Sequence, residues 1–425
     1  MRRDIFTADH EAYRETVRAY IEREITPNVE RWEQERNVDR RAWKVAGEQG
    51  IIGMLVPEEY GGPGERDFRY RYVVAEELAS AAANSPAAGF ALQDDIAIPY
   101  ILEFGTAAQK SRWLPGMAAG ELIGAIAMTE PGTGSDLQGI KTTAVRDGDW
   151  YVINGSKTFI TNGINADLAI VVCRTSPERG GRALSLLVVE AGTPGFSRGR
   201  KLAKLGLHAQ DTGELFFDGV RVPVGNLLGA EGDGFAQLMH QLPRERLSIG
   251  IAGVAGARAA VNWAVEYTKS RVAFGSPVAA FQNTQFALAT AVTEVDVLEA
   301  YIDKAVLALN AGELSAVDAA KAKLWASDVL NRVVNNCLQL FGGYGYMTEF
   351  PIARAWADAR VSQIYGGTNE VMKLIIGRDL TGLRLACESQ SYHWPPWVVR
   401  SRWLRVCRAA SARWRRPRLP PGCWW

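Results

Sequence analysis

The sequence predicts an α+β protein in three successive parts: an N-terminal α-helical domain (1–120), a middle β-barrel or sandwich (121–226) and a C-terminal four-helix bundle (227–383). Three observations predict it. Apolar residues recur at helical spacing through the first part. From Glu121 to about Asn226 the period falls to two and turn signals become dense. Beyond Asp233-Gly234 the helical period returns in long segments.

Within the first part, residues 9–26 read as a helix with Tyr13, Val17, Tyr20, Ile21 and Ile25 on one face, Asp9 as cap and Pro27 as stop. Further helical stretches lie around 40–49, 68–83, 87–104 and 107–119, with the non-helical run Pro57–Gly64 between the first two. In the middle part, Asp147-Gly148 and Asn154-Gly155 each sit between strand-like runs and predict hairpins. Leu168–Cys173, Ala183–Val189 and Glu214–Phe217 are strands rich in branched and aromatic residues. In the last part Leu247–Arg271 is crowded with Gly and Ala, so its neighbours can approach closely. Phe281–Asn310 and Ser315–Phe341 are long helices, and Val371–Asp379 is the last regular one. The α–β–α order, with no Gly-x-Gly-x-x-Gly between a strand and a helix, excludes a Rossmann sheet.

The chain of 425 residues has 48 basic and 47 acidic groups, a formal charge of +1. Its last 42 residues, 384–425, hold nine Arg, one acid and six of the 13 Trp. The rest is therefore mildly acidic, which argues against nucleic acid as the main partner. The Arg/Trp/Pro-rich tail reads as lying outside the fold, disordered, and as a read-through or frame-change product; membrane contact through it is the less favoured reading. No signal peptide and no membrane span is expected. Cys173, Cys337, Cys387, Cys407 and Cys423 are irregularly spaced, with no zinc or disulfide pattern, which fits a reducing cytoplasm. His10, His208, His240 and His393 have no metal spacing, so no metal is expected.

The organising pair is Leu242-Pro243-Arg244-Glu245-Arg246-Leu247, a carboxylate at the start of a long helix, and the open turn Ile364-Tyr365-Gly366-Gly367-Thr368-Asn369-Glu370. On its own, Glu245 reads most simply as a helix-surface acid paired with Arg244, Arg246 or His240. Other runs change that weighting. Ala127–Asp136, Asn154-Gly155-x-Lys157-x-Phe159-Ile160-Thr161-Asn162-Gly163, Arg271-x-x-Phe274-Gly275, Gln339–Gly345 and Tyr365–Glu370 occur in this order. Together they resemble the acyl-CoA dehydrogenase family over about residues 5–383.

The resemblance implies an FAD enzyme that oxidises an acyl-CoA thioester to the trans-2-enoyl-CoA. A carboxylate takes the α-proton while the β-hydrogen leaves as hydride to the flavin. Electrons pass to an electron-transfer flavoprotein, and the enzyme is a homotetramer. Many members carry the catalytic Glu where Gly366 stands here. This sequence is similar instead to the long-chain and isovaleryl type, whose base lies on the bundle helix, here Glu245. The chemistry asks for a base in a dry pocket that lifts its pKa, and for donors to the thioester carbonyl as enolate charge grows.

Carried over by position, the flavin contacts are Met128, Thr129, Gly134, Ser135, Phe159, Ile160 and Thr161. Arg271, Phe274, Gln282, Gln339, Gly342 and Gly343 hold its pyrophosphate and adenosine, partly across a subunit boundary; Thr368 and Glu370 also touch it. Ser135, Arg246, Gly366 and Gly367 face the thioester or CoA, and the pocket floor lies near Phe90–Tyr100. Phe159 stands where the family often has Trp, keeping an apolar face without its N–H. Simpler readings remain beside these: turn hydroxyls for Thr129 and Ser135, a core aromatic for Phe159, a capping acid for Glu370. Two other functions also stay open: an acyl-CoA oxidase or other flavoenzyme of the superfamily, and a redox-silent CoA-binding homologue.

Overall fold

The computed structural model describes residues 3–177 and 182–383. The Arg/Trp/Pro-rich segment 384–425 lies outside the described residues. One compact unit runs to Ile376; a second begins at Gly377, and its described part is the end of the last helix.

The N-terminal part is helical as expected: α1 (Ala8–Tyr20), α2 (Val29–Glu35), α3 (Arg40–Glu48), α4 (Phe68–Ser80), α5 (Asn84–Ala91), α6 (Ile98–Phe104) and α7 (Ala107–Ala118). Asp9 is not the cap. Thr7 is, with its backbone N–H donating to His10 Nδ1 at 3.2 Å. The expected helix 87–104 is two helices, α5 and α6, joined by a wider π-type turn over Leu92–Ala97. Such a turn carries one extra residue and so re-aims the next helix. Trp43 and Phe90 meet edge to face at 4.8 Å in the core of this part.

The middle part is one mixed sheet of eight strands: β1 (Gly124–Ala127), β2 (Thr143–Asp147), β3 (Trp150–Thr161), β4 (Leu168–Arg174), β5 (Leu184–Glu190), β6 (Phe196–Lys201), β7 (Thr212–Pro223) and β8 (Leu227–Leu228). Its path runs β6-β7-β3-β2-β4-β5-β8, with β1 parallel to β4. Both faces of β4 and β5 are buried. Leu168, Ile170 and Leu186 pack on Tyr100, Ile101 and Leu114 of the helices, whereas Ala169, Val171 and Leu187 pack on Ile153, Leu215 and Val220 across the sheet's own curl.

The Asp147-Gly148 hairpin is present between β2 and β3. The Asn154-Gly155 hairpin is not. Those residues lie within β3, which continues past them with a bulge against β7. Gly155 has φ +151°, and a Cβ there would stand 2.4 Å from Thr142 Oγ1, while Asn154 Oδ1 accepts the Gly219 N–H at 2.8 Å. The dipeptide serves a close approach and a bulge, the second use of glycine in a strand.

The C-terminal part is built on α8 (Gly234–Ser270), 37 residues long, followed by a short hairpin of β9 (Val272–Ala273) and β10 (Ser276–Pro277). Then come α9 (Gln282–Asn310), α10 (Ala316–Leu340), α11 (Pro351–Ala359) and α12 (Asn369–Thr381). Helix α8 starts well before Glu245, so that residue lies in its body; Pro243 falls inside the helix and does not end it. The small residues do bring neighbours close: a Cβ on Gly253 would lie 3.1 Å from Ala326 of α10. Phe68 and Tyr72 of α4 join this bundle's core with Leu247 and Ile251. No helix among the described residues is long and apolar enough to cross a membrane.

Candidate active site

Glu245 is 3% exposed. Its Oε1 accepts a hydrogen bond of 3.0 Å from the Tyr100 hydroxyl of α6. Burial, the largest influence, lifts its pKa to about 7, while the Tyr100 hydrogen bond and the Arg246 charge pull the other way. None of the three partners named by the simple surface reading holds it in a salt bridge. His240 faces Glu103 at 3.8 Å, and Arg244 stacks over Phe68 at 5.0 Å. A carboxyl near neutrality in a dry setting can accept a proton from a weak carbon acid and release it again.

Across from Glu245 stands the turn 364–368. Arg246 Nε donates to the Gly366 carbonyl at 3.4 Å, so α8 and the turn are joined beside the carboxylate. Gly366 has φ +64° and Gly367 φ +92°. A Cβ on Gly366 would meet only the far end of Ile249, Cδ1 at 2.3 Å, so it is the left-handed φ that favours glycine at that position. The turn is anchored through Asn369, whose Oδ1 accepts from buried Lys323 at 2.8 Å and whose Nδ2 donates to Asp328 at 2.8 Å. Thr368 is half-buried and Glu370 exposed at the start of α12.

A second group belongs to the sheet. Met128 and Thr129 follow β1, Gly134 and Ser135 are exposed on the loop after them, and Phe159, Ile160 and Thr161 end β3. The Thr129 carbonyl accepts the Thr158 N–H at 2.9 Å. Phe159 sits in a register shift of β3 at φ +59°, with its ring 67% exposed. A large aromatic in a left-handed conformation is costly unless something uses it. Ile160 does not join this open face; it is buried in the sheet's interior.

Beneath the loop lies a buried ion pair that the motif reading passed over. Lys157 Nζ donates to the Met128 carbonyl at 3.1 Å and to Glu130 Oε1 at 2.9 Å. Glu130 also accepts the N–H groups of Lys141 and Thr142 at 2.7 and 2.9 Å. The Lys157 charge thus holds the residues on either side of Thr129, at the start of the loop that goes on to Ser135.

The third group surrounds the end of α8. Arg271, Gly342 and Gly343 line a cleft of about 480 Å³ together with Tyr267, Phe341 and Tyr344. The guanidinium lies 5.7 Å from the Tyr344 ring. A Cβ on Gly342 or Gly343 would meet nothing, so the backbone there is open to a ligand. Gln282 and Gln339 are exposed, and Phe274 is 98% exposed at φ +51°. At about 1.5 Å per residue, Glu245 and Arg271 are roughly 39 Å apart along α8.

Tyr100 was legible only as a member of the pocket floor, and Lys157, Glu130 and Asn369 only as motif letters. No local signal marks Lys157, Glu130 or Asn369 as buried, since an exposed or half-buried residue stands beside each of them. Gln93, Asp94 and Asp95, within the expected pocket floor, are all buried in the π-type turn.

Matches to known proteins agree with this architecture. The family models described as the acyl-CoA dehydrogenase N-terminal, middle and C-terminal domains match residues 7–121, 125–220 and 232–381. The chain is 46% identical over 380 residues to the long-chain specific acyl-CoA dehydrogenase, mitochondrial, of Sus scrofa, covering 89% of this chain and 88% of that one. A solved acyl-CoA dehydrogenase from Geobacillus kaustophilus superposes with a TM-score of 0.86 at 47% identity, covering 88% and 98%. A glutaryl-CoA dehydrogenase from Mycobacterium smegmatis, solved in complex with FADH2, does so at 0.84 and 30%, covering 90% and 97%.

Proposed function

Because the chain belongs to the acyl-CoA dehydrogenase family, and is an oxidoreductase of that kind, we propose that it converts an acyl-CoA thioester to the trans-2-enoyl-CoA with Glu245 as the base and FAD as cofactor. The observation that carries the reading is the buried carboxylate at position 245, lifted to about 7, opposite a turn that offers no side chain at 366. Glu245 takes the α-proton. The Gly366 amide N–H donates to the thioester carbonyl, a role that needs only backbone. Arg246 sets the turn's place through the Gly366 carbonyl and, with Ser135 and Gly367, faces the CoA thioester.

The residues fit a flavin. Exposed Phe159, in a conformation that would otherwise be strained, offers an apolar wall for a planar ring system. Met128, Thr129, Gly134, Ser135 and Thr161 supply polar and backbone groups beside it, and Thr368 and Glu370 close from the bundle. Ile160 contributes through its backbone, since its side chain faces the core. Arg271, with its two-pronged donor set, suits a pyrophosphate at the open Gly342-Gly343 backbone, flanked by Gln282, Gln339 and Phe274. Bound FAD supplies the two-electron acceptor for the β-hydrogen.

The length of α8 between Glu245 and Arg271 supports a cofactor site shared between subunits, as in a homotetramer. We assign an electron-transfer flavoprotein as the electron acceptor and a reducing, cytoplasmic setting, the latter supported by the free buried thiols of Cys173 and Cys337. Anaerobic bleaching of the flavin by a panel of straight and branched acyl-CoAs tests the whole reading. Glu245→Gln should retain FAD and thioester binding and lose bleaching almost completely. Near-normal turnover in that variant would remove Glu245 as the base, and stoichiometric peroxide in air would replace the dehydrogenase by an oxidase.

A further inference from the structure

Resting on the assignment of Glu245 as base, one further role arises from how α8 is fastened to the segment 95–100. Gln241, Glu245 and Ser248 are spaced four and three apart, which places them on one face of α8. Each is bonded to that segment. Gln241 Nε2 donates to the Pro99 carbonyl at 3.4 Å, Tyr100 donates to Glu245 Oε1 at 3.0 Å, and Ser248 Oγ donates to Asp95 Oδ2 at 2.5 Å. Asp95 is held in turn by Arg71 Nε at 3.1 Å. The π-type turn over Leu92–Ala97 is the device that brings Asp95 and Tyr100 to the same helix, because its extra residue shifts the facing of everything after it.

We propose that Tyr100 is a positioning residue for proton abstraction: its hydroxyl binds Glu245 Oε1, leaves Oε2 to receive the substrate proton, and favours the ionised carboxylate. Its ring is fully buried among Ile101, Leu114 and Leu238, so the hydroxyl has little freedom to turn away. Burial raises the phenol well above its ordinary range, and it stays a neutral donor throughout the working pH. The charges around Glu245 are few. Arg246 is next to it on α8. Arg244, just before it on α8, belongs to a balanced set with Arg71, Asp94 and Asp95, in which Arg71 lies 3.4 Å from Asp94. Against the dominant effect of burial, the phenol is therefore a main influence keeping the base ionised near neutrality. After abstraction the proton resides on Oε2, and Tyr100 still donates to Oε1, so the same bond serves both states.

The test is the pH profile of kcat/KM for acyl-CoA-dependent flavin bleaching in the FAD-loaded enzyme. A hydrogen bond to a charged group is worth roughly one to two pH units. Tyr100→Phe should move the acid limb to higher pH and lower kcat/KM at pH 7 by about five- to fiftyfold, with recovery as the pH rises. Site-specific 3-fluorotyrosine at position 100, a stronger donor, should move the limb to lower pH. An unmoved limb in both, or a loss uniform across pH, overturns the role. If Tyr100→Phe fails to retain flavin, the fluorotyrosine enzyme decides alone. Failure of the base assignment looks different: it appears as turnover surviving in Glu245→Gln, whatever Tyr100 does.

Discussion

Replacing Lys157 by Met isolates the buried ion pair under the loop that carries Thr129 and Ser135. The Lys157 side chain is 0% exposed and that of Glu130 6%, with 2.9 Å between Nζ and Oε1. Methionine fills nearly the same volume, so the substitution removes charge and donors without opening a large cavity. Glu130 then keeps the Lys141 and Thr142 N–H groups but loses its counter-ion inside the protein. Breaking a buried pair by removing one partner costs about 3–5 kcal/mol. At about 2.1 cal/mol/K of unfolding entropy per residue, a chain of 425 residues would show this as a fall in Tm of roughly 3–6 °C.

The Met128 carbonyl also loses its donor, so FAD content should fall along with stability. Thermal melting of the apoprotein and flavin absorbance of the purified enzyme read the two effects separately. Burial works to raise the Glu130 carboxyl, but the Thr142, Lys157 and Lys141 donors outweigh it and hold it below the usual range. Its contribution is therefore present above the ordinary carboxylate pKa and disappears as the pH falls through the depressed one. The gap between wild type and variant should be full at neutral pH and narrow in acid. Adding Glu130→Gln should recover part of the loss, since a neutral pair need not be solvated. A Lys157→Met enzyme with unchanged Tm and full flavin would refute the argument that this pair holds the loop.

Two other outcomes are expected from the same geometry. Gly366→Glu places a side chain at φ +64° against Ile249, so in the Glu245→Gln background it should restore no turnover; steady-state rates that return would mean the two base positions are interchangeable. Arg271→Ala, remote from Glu245 along α8, should weaken FAD binding at least tenfold in fluorescence titration while leaving stability within about 1 kcal/mol of wild type, as an exposed position permits.

Much of the fold was open to reading because its signals are local. The helical period of Val17, Tyr20 and Ile21, the strand period after Glu121 and the turn at Asp147-Gly148 all act over a few residues. Asn154-Gly155 shows the limit of such signals. The dipeptide satisfies a hairpin as well as a bulge, and only the approach of Thr142 and the pairing with β7 choose between them.

By itself the sequence determined the order of helical, sheet and helical parts, the presence of a carboxylate at 245 and the absence of any side chain at 366. These depend on residue identity and near-neighbour spacing. Tertiary structure alone decided that Glu245 is dry, that Tyr100, 145 positions away, is its hydrogen-bond partner, and that Lys157 and Glu130 are paired beneath the loop. Desolvation and the meeting of distant polar groups are properties of the packed chain, so they exist only once α6, α8 and the sheet have closed on one another.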